Sequence, residues 1–76
     1  MNYGDVNVNG VVDLKDAILL NKYLAKLIQL TDIQYANANC DQTDGTDNVG
    51  DLDTTALMRF VLNVEGYQEL PYIAES

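Results

Sequence analysis

"DVNVNGVVDLKD", residues 5–16, sets oxygen-bearing side chains at Asp5, Asn7 and Asn9, then Gly10, then Asp13 and Asp16. Asp and Asn beside glycine form turns by bonding their own backbone, and for an arbitrary pair of them that would be explanation enough. Here the whole frame has to be explained. A hard cation such as Ca2+ takes about six to eight oxygens, and a twelve-residue loop supplies them from positions one, three, five, seven, nine and twelve, the seventh through a carbonyl. Those positions are Asp5, Asn7, Asn9, the carbonyl of Val11, Asp13 and Asp16, while Gly10 falls at position six, where the chain must turn sharply. Val12, at position eight, is expected to point into a core. The standard EF-hand loop ends in Glu; Asp16 is one methylene shorter and is expected to draw the loop closer to its helix. Only Met1 to Gly4 precede the loop, too few for an entering helix, so the motif reads as a loop followed by a helix.

A chain of 76 residues is expected to form one domain, near the size at which a hydrophobic core alone gives marginal stability. Cys40 is the only cysteine, so no disulfide forms within the chain and bound metal is the remaining staple. Cys40 itself reads as a small, half-buried packing residue. No apolar run approaches the roughly 20 residues needed to cross a bilayer, and "MNYGDVN" carries neither the basic nor the apolar segment of a leader. The stretch therefore reads as a fragment of something larger. The formal charge of −8 excludes an electrostatic footprint for nucleic acid. Its placement is more telling, since eight of the twelve acids lie in residues 5–16 and 41–53, where two divalent cations would offset their repulsion. The four bases, Lys15, Lys22, Lys26 and Arg59, all fall on predicted helices.

After the first loop, Leu20, Tyr23, Leu24 and Leu27 recur at helical spacing, which predicts a helix from about Leu14 to Ile28. Thr31 followed by Gln34 reads as a capping box opening a short helix from about Asp32 to Asn37. Sliding the first repeat forward by 37 positions (16 to 53) pairs Asp16 with Asp53, Val12 with Val49, Leu20 with Leu57, Tyr23 with Phe60, Leu24 with Val61 and Leu27 with Val64. The core stripe therefore repeats, and a third helix is expected from about Leu52 to Asn63. The second loop superimposes less well. Counting back twelve from Asp53 lands on Gln42, whereas Asp41 is the better first ligand, so an inserted residue is expected. The predicted oxygens are Asp41, then Asp44 or Thr43, then Asp47, a carbonyl near Asn48, and Asp53. Gly45 falls outside the usual frame.

A duplicated calcium loop and helix, Asp-terminated, joined by a short helix and without entering helices, resembles a dockerin. The resemblance runs from Gly4 to about Asn63, and "DVNVNGVVDLKDAILLNKYL" is its most specific segment. It implies a small all-α, three-helix domain: repeat one at about 5–28, a linking helix at 32–37, repeat two at 41–64 and a tail at 65–76. It also implies two Ca2+ ions and calcium-dependent binding to a cohesin of a scaffold protein. Such modules attach enzymes or scaffolds to cellulosomes, the secreted assemblies that degrade plant cell-wall polysaccharide. The chain alone would be a monomer, with neither nucleic acid nor membrane as partner. The inserted second loop departs from the commonest pattern of the family.

The resemblance further places the partner face on residues late in each loop and early on each helix. These are Leu14, Lys15, Ile18, Asn21, Lys22, Ala25 and Lys26 in the first copy, and Leu52, Thr55, Met58, Arg59 and Leu62 in the second, with Asp51 opposite Leu14. Because Leu14-Lys15 matches Asp51-Leu52 and Asn21 matches Met58, the two faces are not interchangeable and one binding orientation is expected. For Leu14, Ile18, Met58 and Leu62 the plain alternative is inward packing or single exposure, and for Lys15 and Lys26 it is ordinary solvation. In the tail, Gly66 reads as the helix stop, Pro71 as extended chain, and Tyr3 as a residue that could stack on Pro71 or Tyr72 to clasp the two ends. Catalysis is not expected: there is no His, one Cys, and Ser76 is the only serine. The rival reading is an EF-hand calcium sensor or buffer, though Met58 is the only methionine besides Met1 and a sensor's groove is Met-rich.

Overall fold

The first two helices begin where a side chain satisfies the first free amide groups. A computed structural model gives the fold of residues 2–43 and 48–73. The described residues form three helices, α1 (Leu14–Leu24), α2 (Asp32–Ala38) and α3 (Asp51–Val61). Among the described residues the only β-pairing is an isolated parallel bridge between Asp41 and Tyr72. The domain is thus the small three-helix all-α fold expected from the sequence. Asp13 caps α1 by accepting from Lys15 N–H at 3.0 Å, and Asp16 reaches back to Asp13 N–H at 2.8 Å. Thr31 and Gln34 form the expected reciprocal box at α2, with Thr31 N–H donating to Gln34 at 2.9 Å and Gln34 N–H to Thr31 at 3.3 Å. At α3 the cap residue is Gly50, which offers no side chain, and only the back-reaching half survives: Gly50 N–H donates to Asp53 Oδ2 at 2.7 Å.

The helix ends differ from the expected Ile28 and Asn63. α1 stops at Leu24 because Lys26 adopts a left-handed conformation (φ 64°), so that Lys26 N–H bonds Tyr23 C=O and Leu27 N–H bonds Lys22 C=O. This is a Schellman turn with lysine where glycine is usual. α3 ends the same way: Asn63 (φ 57°) donates to Phe60 C=O and Val64 N–H to Arg59 C=O. The helix is therefore stopped by Asn63 rather than Gly66. Gly66 instead takes a positive φ of 89° in the next turn, which Tyr67 N–H closes on Val64 C=O. Because the chain has left the helix before position 27, Leu27 and Val64 are exposed, contrary to their expected place in the core.

The core is formed by Val6, Ala17, Leu20, Ala38, Cys40, Ala56 and Leu57, with Val12, Val49, Tyr23, Leu24 and Val61 packed against it. Tyr23 meets Tyr35 edge to face at 6.1 Å, and Val49 N–H donates to the Tyr35 hydroxyl. The two ends of the described chain meet, though not by the expected stack. Tyr72 lies on Tyr67, with ring centroids 4.2 Å apart, while the Tyr3 hydroxyl accepts from Gln42. The closing contact is Leu70 against Gly4: a Cβ on Gly4 would stand 2.7 Å from Leu70 Cδ1 and 2.9 Å from Val12 Cγ1. Only glycine, at φ 91°, fits there. The Leu70–Pro71 peptide is cis.

Candidate metal centre

The first loop is organised around two buried carboxylates. Asp5 accepts from Asn9 N–H (3.1 Å), Gly10 N–H (2.9 Å) and Asn2 Nδ2 (3.3 Å). Asp16, fully buried, accepts from Asn7 N–H at 3.1 Å and Asp13 N–H at 2.8 Å. Lone-pair capacity remains after these bonds on Asp5 Oδ1 and on both Asp16 oxygens, whereas Asp5 Oδ2 accepts two donors. Gly10 takes the positive φ (87°) required of position six. Val8, at position four, is also left-handed, at φ 56°, which a β-branched residue rarely adopts. Asn7 Oδ1 is buried and accepts no hydrogen bond. A buried amide oxygen without a donor is costly, and a cation inside the loop is the partner its chemistry suits. The remaining candidates behave as loop residues: Asn9 Oδ1 accepts from Val11 N–H, and Val11 is exposed.

The second loop repeats this arrangement in two registers. At its C-terminal side the offset is 37 (13 to 50, 16 to 53): Asp53 binds Gly50 N–H as Asp16 binds Asp13 N–H. Asn48 then stands where Val11 does, at the carbonyl position, and Gly50 supplies no side chain at position nine. At its N-terminal side the offset is 34 (4 to 38, 6 to 40). Cys40 N–H donates to Ala38 C=O as Val6 N–H does to Gly4 C=O, and Asn39 N–H to Ala36 C=O as Asp5 N–H does to Asn2 C=O. Val6 and Cys40, both fully buried, are therefore matching core residues.

Asp53 Oδ1 accepts from Asp41 N–H across twelve residues, where Asp16 Oδ1 accepts from Asn7 N–H across nine. The second loop is longer by three residues, and Asp41 stands at the third position rather than the expected first. Asn39, 7 % exposed, holds the first position, and Thr43 matches Asn9. The sequence carried a signal for this in the every-second-residue pattern Asn39, Asp41, Thr43, which copies Asp5, Asn7, Asn9. The insertion hid it, because one fixed offset cannot align both halves. Asp44 and Asp47, expected to complete the ligand set, and Gly45 lie outside the described residues. Asp41 Oδ1 accepts from both the amide and the hydroxyl of Thr43.

Among the described residues no three His, Cys, Asp or Glu side chains gather closely enough to hold a metal by themselves. The first-loop set mixes carboxylates with amide and carbonyl oxygens, the donors a hard cation takes. Asn37, which sequence reasoning did not single out, braces that loop: its Nδ2 donates to Asp5 C=O, its Oδ1 accepts from Asn2 N–H and its carbonyl from Gly4 N–H. Cys40 is fully buried rather than half-buried, its Sγ donating to Asn37 C=O at 3.5 Å. Burial, with the negative charge of Asp53 adding to it, pushes its thiol pKa up to about 12.

The candidate partner face divides. Leu14, Ile18, Leu52 and Leu62 are large apolar side chains left exposed, and Lys15, Lys22, Ala25 and Lys26 are exposed beside them. Met58 is half-buried against the core. Asn21 accepts from Thr54 Oγ1 at 3.0 Å, joining α1 to α3, and Thr55 bonds Asp51 C=O within its own helix. Arg59, the match of Lys22, is turned to the tail: its Nη1 donates to the Tyr67 hydroxyl at 2.7 Å and its guanidinium lies 4.9 Å from that ring. A scan against protein-family models finds no match to this chain, and neither does a search of curated proteins.

Proposed function

We propose that the chain is a non-catalytic, calcium-dependent protein-interaction module of the dockerin kind, with a cohesin as partner and a secreted polysaccharide-degrading assembly as its setting. One observation carries this reading. The aspartate at the start of each long helix, Asp16 or Asp53, ties the same two loop amides in both halves of the chain. A duplicated loop-helix unit closed on a buried carboxylate is what a pair of structural calcium sites requires. Asp5, Asn7, Asn9, the Val11 carbonyl, Asp13 and Asp16 would hold the first ion. Asn39, Asp41, Thr43, the Asn48 carbonyl and Asp53 would hold the second, together with Asp44 or Asp47. Calcium would supply the positive charge that offsets these carboxylates and links folding to binding.

The exposed Leu14 and Ile18 on α1 correspond under the repeat to Asp51 and Thr55 on α3, so a half-turn would set apolar residues against polar ones. This supports one binding orientation. The test is calorimetric titration into a panel of cohesins in calcium and again in excess chelator. One-to-one binding to a cohesin, abolished by chelation, upholds the reading. Calcium uptake with no cohesin bound across the panel overturns the partner and leaves a calcium sensor, buffer or structural module.

A further inference from the structure

The tail packs Leu70 beside Gly4 and Val12 at loop one, but the hydrogen bonds that brace the two loops come from different parts of the chain. Loop one is held by α2, through Asn37 and the Asp5 carbonyl. Loop two is held by the tail: Tyr72 N–H donates to Cys40 C=O at 2.6 Å and Gln42 N–H donates to Tyr72 C=O at 2.9 Å. These bonds fall on either side of Asp41, whose own N–H is fixed to the Asp53 carboxylate at 3.0 Å. The tail is pinned in turn, since Tyr72 stacks on Tyr67 and Arg59 of α3 donates to the Tyr67 hydroxyl.

From this placement we infer that the backbone of Tyr72 is a positioning element for the second calcium loop, so that its two hydrogen bonds set the affinity of that ion and not of the other. This rests on the calcium reading above. Releasing Tyr72 frees the main chain on both sides of Asp41, and with it the alignment of the Asp41 and Asp53 oxygens. Groups that orient ligands in this way typically change metal affinity about 10- to 100-fold when removed. Loop one has no bond to Tyr72 among its braces and should keep its ion.

The experiment compares two substitutions in the full chain by calorimetric calcium titration. Tyr72→Pro removes the N–H that bonds Cys40, whereas Tyr72→Ala removes the ring and its stack but keeps the backbone groups. The expected result is a loss of at least about tenfold at one site in Tyr72→Pro, with the other site unchanged, and less than threefold at either site in Tyr72→Ala. Asp53→Ala, which should remove the same site, assigns it. Equal weakening of both sites in Tyr72→Pro marks a general loss of stability and overturns the inference, as does no change at either. If the unsubstituted chain takes up no calcium, the functional reading fails with it, an outcome distinct from two normal sites that ignore Tyr72.

Discussion

Val8 and Asp16 show how much of the loop is decided by single residues. Val8 occupies a left-handed conformation with its side chain half exposed, so little packing repays the steric cost. Glycine takes the same backbone without that cost, and Val8→Gly should stabilise the domain by about 1 kcal/mol, read as a higher denaturation midpoint in saturating calcium. No change would mean the loop relaxes around Val8 at no cost. Asp16 has the opposite character. Its buried carboxylate ties the amides of Asn7 and Asp13 and would supply position twelve of the proposed calcium site, so Asp16→Ala should abolish one calcium site and leave two amides without their acceptor. A titration that still shows two sites of ordinary affinity in that variant would remove Asp16 from the ligand set.

At the scale of the helices, the helix starts and the end of α2 were legible and the stops of the two long helices were not. Caps are local: Thr31 with Gln34 announces itself within four residues and forms the expected box, while Asp13 with Asp16, expected as loop oxygens, forms a second one. The stop of α1 was missed because the left-handed residue is Lys26, an amino acid that carries no such signal, and periodic apolar spacing continued through Leu27. The same backbone turn at Asn63 became visible only as its repeat. The second loop was misread for a related reason, since its register changes from 34 to 37 within the loop, and a single sliding offset locates only the C-terminal half. A lysine at this turn costs more than glycine would, so Lys26→Gly should raise stability by about 0.5–1 kcal/mol in chemical denaturation. Asn63→Gly should gain less, because asparagine already tolerates the left-handed region. If both gains were equal, or Lys26→Gly were destabilising, the strain at Lys26 would be offset by contacts of its side chain.

For the whole molecule, the two halves share one small core, and that core is bounded by both loops. Val6 and Cys40, matching residues of the two loops, are each fully buried beside Leu20 and Leu57 of the two long helices. The buried side chains also include Asp5, Asp16, Asp41 and Asp53, which means the same small interior must hold apolar groups and carboxylates together. Without an ion to offset them those charges oppose burial, so on the proposed calcium reading withdrawing the metal should loosen the core from the loops inward. Cys40 reports this directly, because it sits between the first and third positions of loop two and is the only thiol. In calcium its burial should make reaction with a thiol reagent slow. In excess chelator the rate should rise at least about tenfold, in step with loss of helical circular dichroism, because modification then follows the opening of the fold. Equal rates with and without calcium would show that the core holds without the ions and would overturn the coupling of calcium to folding.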